Sequence, residues 1–313
     1  THITNLYNNS TKTNVTNNGI KYQYDITNGL MKDADGNIRY SGLGDRNYVL
    51  FNCNTYPNTS CETWRIIGTF GNKTKLIRNS SIGEYSWDNK DTSTGAKSAY
   101  GKNDWTDARL MKLLNPGYES ETTGGSLYYN SGSGNCYSGQ NNATTACDFT
   151  STGIKNDTTR NMISDNTYSL LGWNNNSIYS NQIYEYERST GSVYTGTPTS
   201  WTGKVGLAYV SDYGYAADLS KCTKQLGSYN DSTCASNNWM KAIITNNSTN
   251  ASGWLLTHYY GDSCDTWRTY WAGNAGYSGA YYAFEVTPVL YLKYRISINS
   301  GTGTSSDPYQ IST

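Results

Sequence analysis

Histidine occurs only twice in the 313-residue chain, at His2 and His258, and no C-x-x-C pair is present. A structural zinc site draws on four Cys or His ligands, so little is available to build one. Neither sign of charge is in excess, because 24 basic residues balance 24 acidic ones. That balance removes the basic footprint of a nucleic-acid binder and the polybasic patch of a membrane-surface protein. No apolar run approaches the length of a membrane span. G-x-S-x-G, the P-loop, a G-x-G-x-x-G after a strand and H-E-x-x-H are all missing, so the commonest catalytic and cofactor motifs do not occur. The expectation is a protein that is not an enzyme and carries no cofactor.

Phenylalanine is also scarce, with 4 residues against 30 tyrosines. A ring with a hydroxyl tolerates water on one side, so this exchange suits an exposed, β-rich, hydrogen-bonding protein. Seven cysteines stand at Cys53, Cys61, Cys136, Cys147, Cys222, Cys234 and Cys264. The first six fall into close pairs that each close a polar loop. They predict the disulfides Cys53–Cys61, Cys136–Cys147 and Cys222–Cys234 and an oxidising compartment, with Cys264 the odd one out.

Residues 1–46 are polar and loop-like, and are expected to follow a removed leader or anchor. "KDADGN" at Lys32–Asn37 reads as a turn. Strand signals follow in "NYVLFN", "TWRIIGTF" and "TKLIR". "NDWTDARLMKLLNPG" predicts a helix capped by Asp104 and stopped by Pro116-Gly117. Residues 118–156 form a Gly/Ser/Asn-rich excursion. "DTTRNMISDNTYSLL" looks partly helical, "QIYEYERS" and "KVGLAYVSDYGYA" read as strand and turn, and "SNNWMKAI" as a short helix. On "YEYERS", Glu185 and Glu187 are expected to share a solvated strand face. The run Val289–Leu292 reads as a buried strand, and "GTGTSSDPYQI" as an irregular tail. The class is α+β, β-rich with a few short helices and long loops, stapled by disulfides.

One stretch departs from this pattern. "THYYGDSCDTWRTYWAGNAGYSGAYY", from Thr257 to Tyr282, holds six Tyr and two Trp and no Ile, Leu, Val, Met or Phe. Large rings among Ser, Gly, Asn and Asp are the composition of antibody binding loops. The candidate ligand-binding residues are His258, Tyr259, Tyr260, Asp262, Cys264, Asp265, Trp267, Arg268, Tyr270, Trp271, Tyr277, Tyr281 and Tyr282. They are expected to cluster on one face in irregular loops, with Trp267, Arg268 and Trp271 as the strongest contacts. A metal or Cys–His site at His258, Asp262, Cys264 and Asp265 is the weaker reading of the same residues.

The frame "NYVLFN", "TWRIIGTF", "KLIRNSSIGEYSWD", "NDWTDARLMKLLNPGY", "SLYYNSGSGNCYSGQNNATTACDFTSTG", "WTGKVGLAYVSDYGYA" and "VTPVLYLK" resembles a large family of exported surface proteins of gut Firmicutes and their wall-less relatives. The resemblance covers roughly residues 38–313. The part from Trp254 to Pro288–Leu290 is similar to the end of the C-type lectin-type variable proteins of diversity-generating retroelements. That resemblance implies a C-type lectin-like domain over 47–313 with a variable-type region at about 255–287. It also implies that the strands Trp64–Phe70 and Val289–Leu292 share one sheet. His258, Tyr259, Tyr260, Gly261, Asp262, Ser263, Cys264 and Asp265 are all reachable by adenine mutation of an AAC codon. Trp267, Trp271 and Glu285 are not, and Thr287-Pro288 stands where family members usually show Arg-Pro. The calcium and sugar triplets of animal C-type lectins and the paired cysteines of the formylglycine-generating relatives are absent.

The function implied is an adhesin-like protein at the bacterial cell surface that recognises a host, phage or bacterial surface protein or glycan through residues 257–287. The alternative is a pilin-like appendage subunit.

Overall fold

The computed structural model describes residues 1–89, 100–116, 126–137 and 145–312. Its centre is the strand Glu62–Phe70, buried from Trp64 to Thr69. A strand covered on both faces reads as a continuous apolar run instead of an alternation, which is how "TWRIIGTF" reads. Two strands share one edge of it. Tyr48–Phe51 pairs with its first half, and Ile38–Tyr40 with its second. The crossing at Gly68 needs glycine, because a Cβ there would lie 2.4 Å from the Ile38 carbonyl oxygen.

The full sheet has nine strands. From Ile38–Tyr40 it extends through Leu30–Lys32 and Ile20–Asp25 to Thr13–Asn17. On the other side it continues through Lys73–Arg78 and Val289–Tyr291 to Val205–Gly206. Glu62–Phe70 and Val289–Tyr291 therefore share one sheet, as expected.

Residues 1–46 are not loop-like. They form the helix His2–Asn8 and four strands of this sheet. Their polarity is that of an alternating strand: Tyr22 and Tyr24 point inward while Lys21 and Gln23 are exposed.

A second sheet orders Ala275–Gly279, Asp265–Thr269, Gly253–Trp254, Ala283–Glu285 and Glu84–Ser86. The pair Lys73–Arg78 with Val289–Tyr291 runs on into the pair Glu84–Ser86 with Ala283–Glu285. Hydrogen bonds from Ile82 N to Val286 O and from Val286 N to Gly83 O join the two. One two-stranded ribbon thus passes from the main sheet to the second, and the core follows it. Trp87 packs on Trp105 at 4.9 Å and on Trp254 at 6.0 Å between ring centroids.

Several local expectations are corrected. "QIYEYERS" is a helix, Ser180–Glu185, that widens into a π turn at Tyr186–Thr190. The Gln182 side chain accepts from the Tyr179 N–H and secures its start. Glu185 is exposed and Glu187 fully buried, so the two share no face. "KVGLAYVSDYGYA" has strand only at Val205–Gly206 and is helical at Val210–Tyr215, where Asp212 accepts from the Tyr209 N–H. The helix expected to be capped by Asp104 begins only at Arg109, because Asp104 turns the preceding segment by accepting from Thr106 N. The tail ends in a strand pair, Ser297–Ser300 with Gln310–Ser312. Gly117 and much of the 118–156 excursion, at 118–125 and 138–144, lie outside the described residues. Helices Asp157–Met162 and Trp239–Ile244 stand where short helices were expected.

The three expected disulfides are present, and Cys264 takes part in none of them. Three such bridges fit an oxidising environment. No helix among the described residues is long and apolar enough to cross a membrane.

Candidate functional site

The aromatic stretch is irregular at 257–264, as expected, and then forms a strand hairpin. Asp265–Thr269 and Ala275–Gly279 form a hairpin in which Trp267 faces Tyr277 and Arg268 faces Gly276. Tyr270 N donates to Asn274 O across the turn. Gly273 holds φ +113°, and its carbonyl accepts from the buried Tyr213 hydroxyl. The turn is therefore fixed to the core, and Trp271 is held out of it at 50% exposure.

Neighbours along a strand point to opposite faces, so the candidate residues divide into two groups. In the first, Tyr259 stacks on Tyr277 at 4.0 Å, and both meet Trp267 edge-on. Trp267 is fully buried, and its indole N–H donates to Trp173 O. It anchors the hairpin and offers no surface to a partner, which corrects its expected role as a contact. His258 and Tyr259 are also buried. His258 Nε2 accepts from Tyr194 N. Burial pushes this imidazole down to about 4, against the pull of Asp104 and Asp262, so it is neutral near pH 7. Tyr260 is half-buried, with its ring edge-on to Trp173.

In the second group the rings form a line. Tyr100 contacts Tyr281, Tyr281 stacks on Tyr282, and Tyr282 stacks on Phe284. The Arg268 guanidinium then lies 4.6 Å from the Phe284 centroid and 3.6 Å from that of Tyr270. Arg268 Nε donates to Ser278 Oγ at 2.7 Å. Burial lowers its pKa. Tyr282 and Tyr100 are exposed, and in the first group Tyr277 is 37% exposed.

Tyr100 and Phe284 belong to this surface although no sequence pattern singled them out. Tyr100 stands among Gly and Lys with no periodicity, and Phe284 reads as ordinary strand.

Asp262, Cys264 and Asp265 bring ligand-type atoms within 4.8 Å of one another. Asp262 Oδ1 already accepts from the backbone N–H groups of Cys264 and Asp265. The trio therefore shapes the entry to the hairpin. Burial, with Asp262 beside it, raises Asp265 to about 6.

No family model, curated protein or solved structure matches this chain.

Proposed function

We propose that the protein is an extracellular, surface-displayed ligand-binding module on a C-type lectin-like scaffold, and that residues 257–287 carry its recognition surface. The observation that carries this reading is the set of exposed rings, Tyr277 on a strand and Trp271, Tyr282 and Tyr100 in turns and bends, beside the inner residues Trp254 and Trp267, which are buried in the core. Exposed aromatics on a rigid support lose little entropy on binding, and Tyr, Trp and Arg dominate interface energies. A scaffold stabilised elsewhere tolerates sequence change at such positions, which fits the variable-type character of the region. The ligand is a host, phage or bacterial surface protein or glycan, and no catalytic role is assigned.

An array of surface glycans and immobilised surface proteins, probed with the wild type and with Tyr282→Ala, tests the reading. Retention of the wild type on a defined ligand and its loss in the variant are expected. Equal retention of both would count against it. A reverse transcriptase gene beside this one, with a near-copy of its 3′ end, would test diversification separately.

A further inference from the structure

On the other side of the hairpin turn lies a groove of about 540 Å³. Its walls are the helix Trp239–Ile244 and the turn after it, the segment around Leu43 and Tyr48, and the tip residue Trp271. A Cβ placed at Gly273 would lie 3.4 Å from Lys241 Cδ, so the hairpin turn and this helix meet at the groove. Trp271 and Leu43 are exposed. Asn, Ser and Thr supply the polar lining, and no described Asp or Glu contributes.

The cations of this groove form no ion pair among the described residues. Arg65 is 5% exposed, and among the described residues its guanidinium donates to neutral oxygens: Asn47 Oδ1 at 2.6 Å, Asn79 Oδ1 at 3.3 Å and the Gly44 carbonyl. It lies 3.7 Å from the Tyr48 ring centroid. Lys241 is half-buried at the rim. Among the described residues neither cation has a carboxylate within ion-pair distance. A buried cation without a counter-charge is costly, and an anion bound nearby recovers part of that cost. Burial lowers Arg65 to about 10, with Tyr48 and Asp45 opposing, in keeping with this strain.

We propose that this groove binds a carboxylated sugar chain, with the acid group at Lys241 in the field of Arg65 and a ring face on Trp271. Amide and hydroxyl side chains around two cations and an exposed indole match hydroxyls, a carboxylate and an apolar ring face together. The volume falls within the usual range of small-ligand sites. An acidic peptide fits less well. Peptides commonly add to a free strand edge, and the edge here is taken, since Tyr48 N donates to Gly303 O and Leu50 N to Tyr309 O. The inference does not rest on the ring-bearing surface being functional. Tyr277 and Tyr282 lie outside the groove and report on that reading separately.

Calorimetry on the intact chain tests it. The probes are oligogalacturonate, its methyl ester, a glucuronate-containing hyaluronan oligosaccharide, sialyl-lactose and an octaglutamate peptide. At least one acidic sugar should bind. Lys241→Gln and Trp271→Ala should each weaken that binding about tenfold, the scale of one charge-assisted hydrogen bond or one stacked ring, and Tyr294→Ala, an exposed ring that does not line the groove, should leave it unchanged. If oligogalacturonate binds, its methyl ester should not. No binding by any acidic sugar at 5 mM, on the order of the weakest specific affinities, would overturn the proposal. So would equal binding of ester and acid, insensitivity to both groove variants, or octaglutamate binding as tightly as the sugars.

Discussion

At the scale of single residues, two tryptophans of the same stretch have opposite tasks. Trp267 is fully buried and bonded to Trp173, while Trp271 stands at a turn and is half exposed. Trp267→Ala should cost about 3–5 kcal/mol of stability by leaving a cavity. Trp271→Ala should stay within about 0.5 kcal/mol, as surface changes do. Urea unfolding of both variants measures the difference.

His258 provides a second residue-level check. Its folded pKa of about 4 lies below the ordinary 6.5. The unfolded chain therefore binds more protons between those values, and the stability that His258 contributes is lost as pH falls from about 6.5 toward 4. Asp265, raised to about 6, acts in the opposite sense, contributing stability that is lost as pH rises through about 6. An NMR titration of the imidazole isolates the first effect, with His2→Asn giving the assignment. His258 should remain neutral at pH 5.5, and a midpoint near 6.5 would show that it is not buried as described.

The buried ion cluster sets a third. Arg39 pairs with Asp33 at 2.6 Å and with Asp212 at 2.8 Å, and Lys75 pairs with Asp212. Burial would raise Asp212, but Lys75 and Arg39 hold it down at about 2. Asp212→Asn should destabilise the fold by about 3–5 kcal/mol, because two buried cations lose their shared partner. A loss below 1 kcal/mol by denaturant unfolding would show that the cluster is hydrated.

At the scale of elements, legibility followed local chemistry. Cys222 and Cys234 are close in sequence and close a polar loop, so their bridge could be read directly. Val289–Tyr291 could be read because a short run of Val, Leu and Tyr suits a buried strand. Val210–Tyr215 could not, since Ser, Asp, Tyr and Gly are weak helix formers. That helix is held instead by Asp212 at its start and by burial of all six residues. The strands from Thr13 to Tyr40 were missed because their outer faces are so polar. The aromatic stretch stands out by composition as a candidate recognition surface. The inward turn of Trp267 was not, because it depends on hairpin register and on Trp173, some 94 residues away in sequence.

The Cys222–Cys234 loop also bonds to the first hairpin, through Asn17 Nδ2 to the carbonyls of Leu219 and Cys222. Replacing both cysteines by serine should cost about 2–4 kcal/mol and raise hydrogen exchange across Thr13–Asp25. Unchanged exchange there would show that the hairpin is held without the staple.

At the scale of the whole molecule, one ribbon of paired strands joins a sheet with a buried centre to a smaller sheet beside which the rings lie. Trp87, Trp105 and Trp254 pack together beside the ribbon, and Trp267 is buried in the second sheet. On the proposed reading, Tyr282 and Tyr100 serve recognition without being needed for folding. The direct test is the double variant Tyr100→Ala/Tyr282→Ala, compared with wild type in melting temperature and in affinity for the array-identified ligand. The melting temperature should stay within about 3 °C while affinity falls at least about thirtyfold, equivalent to about 2 kcal/mol. A variant that unfolds, or one that keeps full affinity, would contradict the assignment of this surface to recognition.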